Sequence, residues 1–248
     1  MDVPRIARLV GLALGTAALV GWVWGMRRLP IVERHAAFRR EFAPSTGPRG
    51  ATSACAVAGL LAVFLPATWS LVNGTAHLAI DRRWIAGSVL AFLATVIVKL
   101  ALVVSEELIY RTAIVRTIAP AMGLHGALLC GAVAFALAHG RDARSAAILT
   151  ADGIGFGVAY LVTGSLRAPV AWHAAKNLAV WLLVGESTIQ FARGPARLTS
   201  DSNAPPGDAP ELVITLAVVA VTTAWLLRGR AGPRAESRHP EPATGADS

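Results

Sequence analysis

The sequence predicts an all-α, polytopic membrane bundle of about seven transmembrane helices, within a range of six to eight. Three observations predict it. Of 248 residues, 54% are hydrophobic and only 15% are charged, against roughly 25% charged in an ordinary soluble domain. The apolar residues come in unbroken runs of bilayer length and do not alternate at a helix or strand period. The net charge of +8 falls mainly on arginines between and after those runs, as in loops facing the cytoplasm. The basic balance therefore reads as topology, with no nucleic-acid partner implied. The expected setting is a multi-pass protein of the cell membrane. Only Lys99 and Lys176 are lysines, and the richness in Ala, Gly and Pro fits a GC-rich bacterial genome. Cys55 and Cys130 lie inside apolar runs without CxxC spacing, which predicts buried, inert thiols and no disulfide framework or cysteine-based zinc site.

Ile6 to Met26 is the first apolar stretch, about the ~20 residues a bilayer core requires. Arg5 and Arg8 precede it as in a signal peptide. The stretch is too long for a cleavable apolar region and no small-residue cleavage site follows, so a retained helix is expected. Arg27 to Gly50 is a basic connector with six arginines against Glu33 and Glu41, and residues 1–50 form an N-terminal unit. The membrane core is expected over 51–184. Within it Ala51 to Val72 is a span, and Trp84 to Val104 another that runs straight into the charged segment Ser105 to Arg116. A continuous helix over Trp84 to Thr117 would reach about 50 Å, so it must tilt, protrude or break.

A turn is expected near Pro120 to His125. Gly126 to Ala138 then continues apolar to His139, and the polar patch Arg141 to Ser145 leads into Ala146 to Val162. Thr163 to Arg167 reads as a brief turn before the helix Ala168 to Val184. Residues 185–211 are polar and rich in Pro, Gly, Ser and Asp, an external loop. Leu212 to Leu227 is the last span, before a disordered tail over 228–248 carrying four arginines. Six spans separate the basic connector from the basic tail, so both can lie in the cytoplasm with the N-terminus outside. Small residues at spacing four, Gly11 with Gly15 and Gly153 with Gly157, suit close helix packing. The run Gly153, Gly155, Gly157 lies in an apolar helix with no strand before it, which excludes a phosphate loop.

Charged residues within a span cost about 2.5 to 3.5 kcal/mol each, so a membrane helix keeps them only where they face a partner or water. Three clusters stand out: Glu106-Glu107-Leu-Ile-Tyr-Arg111, Phe135-Ala-Leu-Ala-His139, and His173-Ala-Ala-Lys176-Asn177. Glu107 and Arg111 share a helix face and can neutralise each other, whereas Glu106 projects about 100 degrees away with no local cation. Phe135 and His139 share a face, as do His173 and Asn177. Lys176 is expected to snorkel. Glu106 and His139 are 33 positions apart, with their midpoint at 122–123, inside the expected turn. A helical hairpin there would bring the two level, each roughly 24 Å from the turn.

A carboxylate beside an imidazole can take a proton from water and deliver it to a leaving amine, while His and Asn donors hold the oxyanion. Glu106 would be the base, His139 would orient the water, and His173 with Asn177 would stabilise the oxyanion. The alternative chemistry is a metal centre in which Glu106, His139 and His173 bind zinc and leave a position open for water. HExxH is absent from the sequence, and metal-independent hydrolysis without a cofactor is the preferred expectation.

In that order, EELIYR, FALAH and HAAKN resemble the EExxxR, FxxxH and HxxxN motifs of the CPBP intramembrane proteases. That family includes the type II CAAX prenyl endopeptidases and bacterial proteins once grouped as abortive-infection proteins. The resemblance covers roughly Val96 to Leu183, and LVTGSLRA at Leu161 to Ala168 is similar to the turn preceding the third motif. By position Glu106 matches the family's catalytic glutamate, Glu107 and Arg111 complete the first motif, Phe135 and His139 the second, and His173 and Asn177 the third. The resemblance implies glutamate-dependent peptide-bond hydrolysis within or beside the membrane, on a membrane protein or peptide. Thr112 stands where relatives often carry Gly, and Tyr110 where Phe is frequent. The competing class is a non-enzymatic scaffold, chaperone or small transporter that uses the same polar residues structurally.

Overall fold

The computed structural model describes residues 31–43, 47–72, 76–80, 89–139, 143–184, 189–193 and 209–230, with isolated helical positions between Val10 and Arg27. The expected first span and the tail therefore lie largely outside the described residues, as do Gly11 and Gly15. The helices are α1 (Ile31–Glu41), α2 (Ala51–Val72), α3 (Val89–Glu107), a π-helical segment (Leu108–Ala113), α4 (Ile114–His139), α5 (Ala143–Thr163), α6 (Arg167–Val184) and α7 (Ala209–Arg230). Three stretches are long and apolar enough to cross a membrane, Ala51–Val72, Ser145–Thr163 and Leu212–Gly229. They make this a membrane protein, while the count of about seven spans is not reached by that measure.

Two elements depart from the expectation. The connector read as a loop contains α1, with Glu33 in its first turn and Arg39 and Arg40 in its last, charges that complement the helix dipole at each end. The stretch read as an external loop contains the strand β2 (Ile189–Arg193), which pairs antiparallel with β1 (Ala76–Ile80), Ala76 opposite Arg193 and Ile80 opposite Ile189. Pairing gives the backbone polar groups of these two connections their partners, so the bundle is helical with one short ribbon.

The two turns lie where the sequence places them, and a third irregularity falls inside the long segment. Trp84 to Thr117 does not run as one α-helix, because Leu108–Ala113 winds as a π-helix; such single-turn insertions recur at functional sites. In α4, Gly123 takes φ 71 and ψ 169 and bends the chain between two helical arms. Only glycine occupies that region without strain. Further along, α5 ends at Thr163, Gly164 takes φ 63, and α6 starts at Arg167.

Small residues let the helices approach closely. A Cβ on Gly153 would lie 2.9 Å from the Ala132 Cα, and one on Gly157 2.9 Å from the Leu128 Cδ2, so α5 seats against α4 as the four-residue spacing predicts. On α2, Gly59 abuts the Trp172 carbonyl of α6. The core is alanine-rich, with Tyr110, Phe135, Phe156 and Trp172 as its bulky members. Large side chains such as Phe64, Trp69, Ile97, Leu102 and Val221 face outward, as a lipid-solvated surface requires. Cys55 is buried and Cys130 half-buried beside Met122, and both are free thiols.

Candidate active site

All three polar clusters meet. Glu106 lies in the last turn of α3, and its Oε1 lies 3.2 Å from the Nε2 of His139 at the end of α4. Its Oε2 lies 3.4 Å from the Nε2 of His173 on α6. The hairpin at Gly123 thus brings Glu106 and His139 level, as the midpoint arithmetic predicts, and α6 supplies the second histidine. The partners that Glu106 lacks on its own helix are these two imidazoles.

The other nitrogen of each ring is committed. The Nδ1 of His139 is 2.9 Å from the Phe135 carbonyl, an acceptor only, so this nitrogen carries the hydrogen and donates. The Nδ1 of His173 is 2.8 Å from Glu107 Oε1 and donates to that carboxylate. Both Nε2 atoms, lone pairs outward in the neutral rings, therefore face the two oxygens of Glu106. Acceptors facing acceptors repel, so at least one proton must be shared within Glu106, His139 and His173.

Glu107 and Arg111 form the ion pair expected of residues four apart, with Arg111 Nε 3.3 Å from Glu107 Oε2. The N–H is not aimed at that oxygen, and no hydrogen bond joins them, so charge and packing hold the pair. Both side chains are fully buried. The guanidinium carbon sits 5.7 Å from the ring centres of Phe135 and of Phe156, within cation–π range. Phe135 is the hub of an aromatic box. Its ring lies 4.7 Å from that of His139 and 5.4 Å from those of Tyr110 and His173. Phe156 stacks on His173 with centres 4.9 Å apart and planes 16° apart, and Trp172 packs edge-on against Phe156.

Access divides the group. The side chains of Glu106 and His139 are 24% and 38% exposed, whereas that of His173 is 4% exposed. Glu106 and His139 reach the surface, and His173 lies behind them. Asn177, one turn beyond His173, is exposed and takes no part in the hydrogen bonds joining Glu106, Glu107, His139 and His173. Sharing a helix face with His173 does not suffice, because α6 turns that face from the bundle interior to its surface within one turn.

One expectation is overturned. Lys176 does not snorkel; it pairs with Asp152 of α5, whose side chain is 2% exposed. The reason is the cost of leaving a carboxylate alone in an apolar interior. Asp152 itself was legible as an acid within an apolar run. Phe156, Trp172 and Glu41 carried no such signal, since Phe and Trp are unremarkable in a span and Glu41 lies in a charged connector.

Glu106, His139 and His173 offer a carboxylate and two imidazole nitrogens, a donor set that by type suits zinc. The carbonyl of Phe135 and the carboxylate of Glu107 are the outer partners such imidazole ligands usually have. The residues therefore fit the metal by chemistry, although among the described residues no group of three or more His, Cys, Asp or Glu is arranged as a metal cluster.

A membrane-embedded helical bundle with a glutamate between two histidines is the class these elements define. Residues 85–179 match the family model described as type II CAAX prenyl endopeptidase Rce1-like. The resemblance to the CPBP and CAAX proteases is thereby shown, over less than half of the chain but including Glu106, Glu107, Arg111, Phe135, His139, His173 and Asn177. No curated protein and no solved structure matches the chain.

Proposed function

We propose that the protein is a multi-pass intramembrane endopeptidase of the cell membrane that hydrolyses a peptide bond in a membrane-associated protein or peptide. The observation that carries this reading is the pair of contacts from one partly exposed carboxylate to two Nε2 atoms. Glu106 takes a proton from water as the hydroxide forms its bond to the substrate carbonyl carbon. The proton shared with the histidines leaves an Nε2–H to meet the oxyanion. Glu106 then gives its proton to the amide nitrogen as the C–N bond breaks, which balances the step. His139 orients the water, His173 supports the oxyanion from its buried position, and Asn177 is an exposed donor for substrate arriving along α6. Glu107, paired with Arg111, holds His173 by its Nδ1.

The match to CAAX endopeptidases makes a CAAX-terminated peptide the first probe. The Nε2 lone pairs also favour a second reading in which Glu106, His139 and His173 hold zinc, which would supply a polarised water. The test is Glu106→Gln in the full chain, reconstituted in vesicles, with zinc content measured by elemental analysis. Cleavage should fall by at least about 100-fold while folded protein persists. Full activity in that variant would sink the general-base role. Unaffected function in cells without any proteolysis would favour a scaffold, and activity that survives chelation with no bound zinc would remove the metal reading.

A further inference from the structure

Glu41 closes α1, outside the stretch 85–179 that matches the family, and it is 3% exposed. Its carboxylate is met by three donors from elsewhere in the chain. The Tyr160 hydroxyl donates to Oε2 at 2.8 Å and the Thr112 hydroxyl to the same oxygen at 3.4 Å, while Arg116 pairs with Oε1. The main chain around it is tied down as well. The Leu166 N–H donates to the Glu41 carbonyl at 2.7 Å, the Arg167 Nε to the Phe42 carbonyl at 2.7 Å, and the Ser165 hydroxyl to the Ala43 carbonyl at 2.8 Å.

Each partner sits on an element that carries part of the candidate site. Thr112 lies in the π-helical segment beside Arg111. Tyr160 is one turn from Phe156, which stacks on His173. Ser165 and Leu166 form the turn before α6 and Arg167 opens it, fewer than three turns before His173. His139 lies on α4 and His173 on α6, so the distances from Glu106 to the two Nε2 atoms depend on how the π-helical segment, α4 and α6 are placed relative to one another. The Glu41 carboxylate bonds to the π-helical segment, α4 and α5, and its main-chain carbonyl to the turn that leads into α6.

We propose that Glu41 is a positioning residue for the Glu106, His139 and His173 group, its carboxylate locking the π-helical segment and the start of α4 to α5, whose Phe156 stacks on His173, so that Glu106 faces both imidazoles. A buried carboxylate with three donors is worth its desolvation only in one arrangement of those donors, which is what a register lock needs. The proposal rests on the peptidase reading for its kinetic consequence and on geometry alone for its spectroscopic one.

The test uses the full chain in phosphatidylcholine and phosphatidylglycerol vesicles, with an internally quenched peptide ending in a farnesylated CAAX sequence as probe. The variants are Glu41→Ala, Glu41→Gln and Thr112→Val, with ring ¹⁵N signals of His139 and His173 recorded for each. Glu41→Ala should lower kcat on the order of 100-fold with KM unchanged, the scale of a small misplacement of reacting groups. Thr112→Val, which removes one hydrogen bond and keeps the shape, should lower kcat about tenfold. Glu41→Gln, which retains an acceptor for Tyr160 and Thr112, should recover most of the loss. The ring signals should move in Glu41→Ala and return in Glu41→Gln. Unchanged signals in folded Glu41→Ala overturn the proposal whatever the activity. If Glu41→Ala does not fold, unchanged signals in Thr112→Val overturn it. Should Glu106→Gln keep full activity, or the probe stay intact with the parent chain, the peptidase reading suffers and the ring signals still decide the role of Glu41.

Discussion

Glu106 and Glu107 are adjacent in the chain, and a rotation of about 100 degrees sends them to different surroundings. Glu107 is fully buried between Arg111 and the Nδ1 of His173, while Glu106 keeps part of its surface open and faces two Nε2 atoms. Removing the charge of Glu107 would leave the Arg111 guanidinium alone in an apolar interior. We expect Glu107→Gln to destabilise the protein by about 3–5 kcal/mol, the cost of breaking a buried pair on one side, read as a lower midpoint of thermal unfolding in detergent. The double variant Glu107→Gln/Arg111→Met should regain most of that loss, since neither charge remains. A single variant as stable as the parent would mean that water reaches Arg111. At this scale the sequence made the pairing legible because its members are one helical turn apart. The pairing of Asp152 with Lys176 was not, because its members lie on different helices and turn geometry relates only residues on the same one.

Between residues and bundle, one glycine decides whether Glu106 and His139 meet. The hairpin could be inferred because both arms are helical and the turn falls at their midpoint, so equal counts of residues give equal depth. What spacing could not show is the π-helical segment Leu108–Ala113. It adds residues per turn without any change in composition, and it directs Thr112 toward Glu41. The connector helix α1 was equally hidden, since a charged segment with few apolar residues gives no periodicity to read. At Gly123 the backbone has φ 71, and a Cβ there would meet nothing within 4 Å. The cost of Gly123→Ala is therefore conformational and not steric. We expect a loss of about 1–3 kcal/mol in unfolding stability. A stability equal to that of the parent would show that the two arms can be joined by an ordinary turn.

For the whole molecule, contacts place the basic connector beside the end of the last helix, which puts both on one side of the membrane if that helix crosses it. The connector reaches the bundle through Glu41, which bonds to residues at the ends of α5 and the start of α6. A few residues on, the Pro48 ring abuts Gly229, near the end of α7. Since α7 is long and apolar enough to cross, a crossing would put its two ends on opposite sides of the membrane. Arginine distribution in the sequence leads to the same arrangement, because positively charged connections favour the cytoplasmic face. Contact geometry and charge bias are independent, so their agreement can be put to one measurement. In a chain with Cys55 and Cys130 replaced by alanine, single cysteines at Arg49 and Arg234 should react with an impermeant thiol reagent from the same side, and a cysteine at Ser202 from the other. Labelling of Arg49 and Arg234 from opposite sides would separate the connector from the tail. It would also remove the physical basis for an α1 clamp at the end of the bundle where α6 begins.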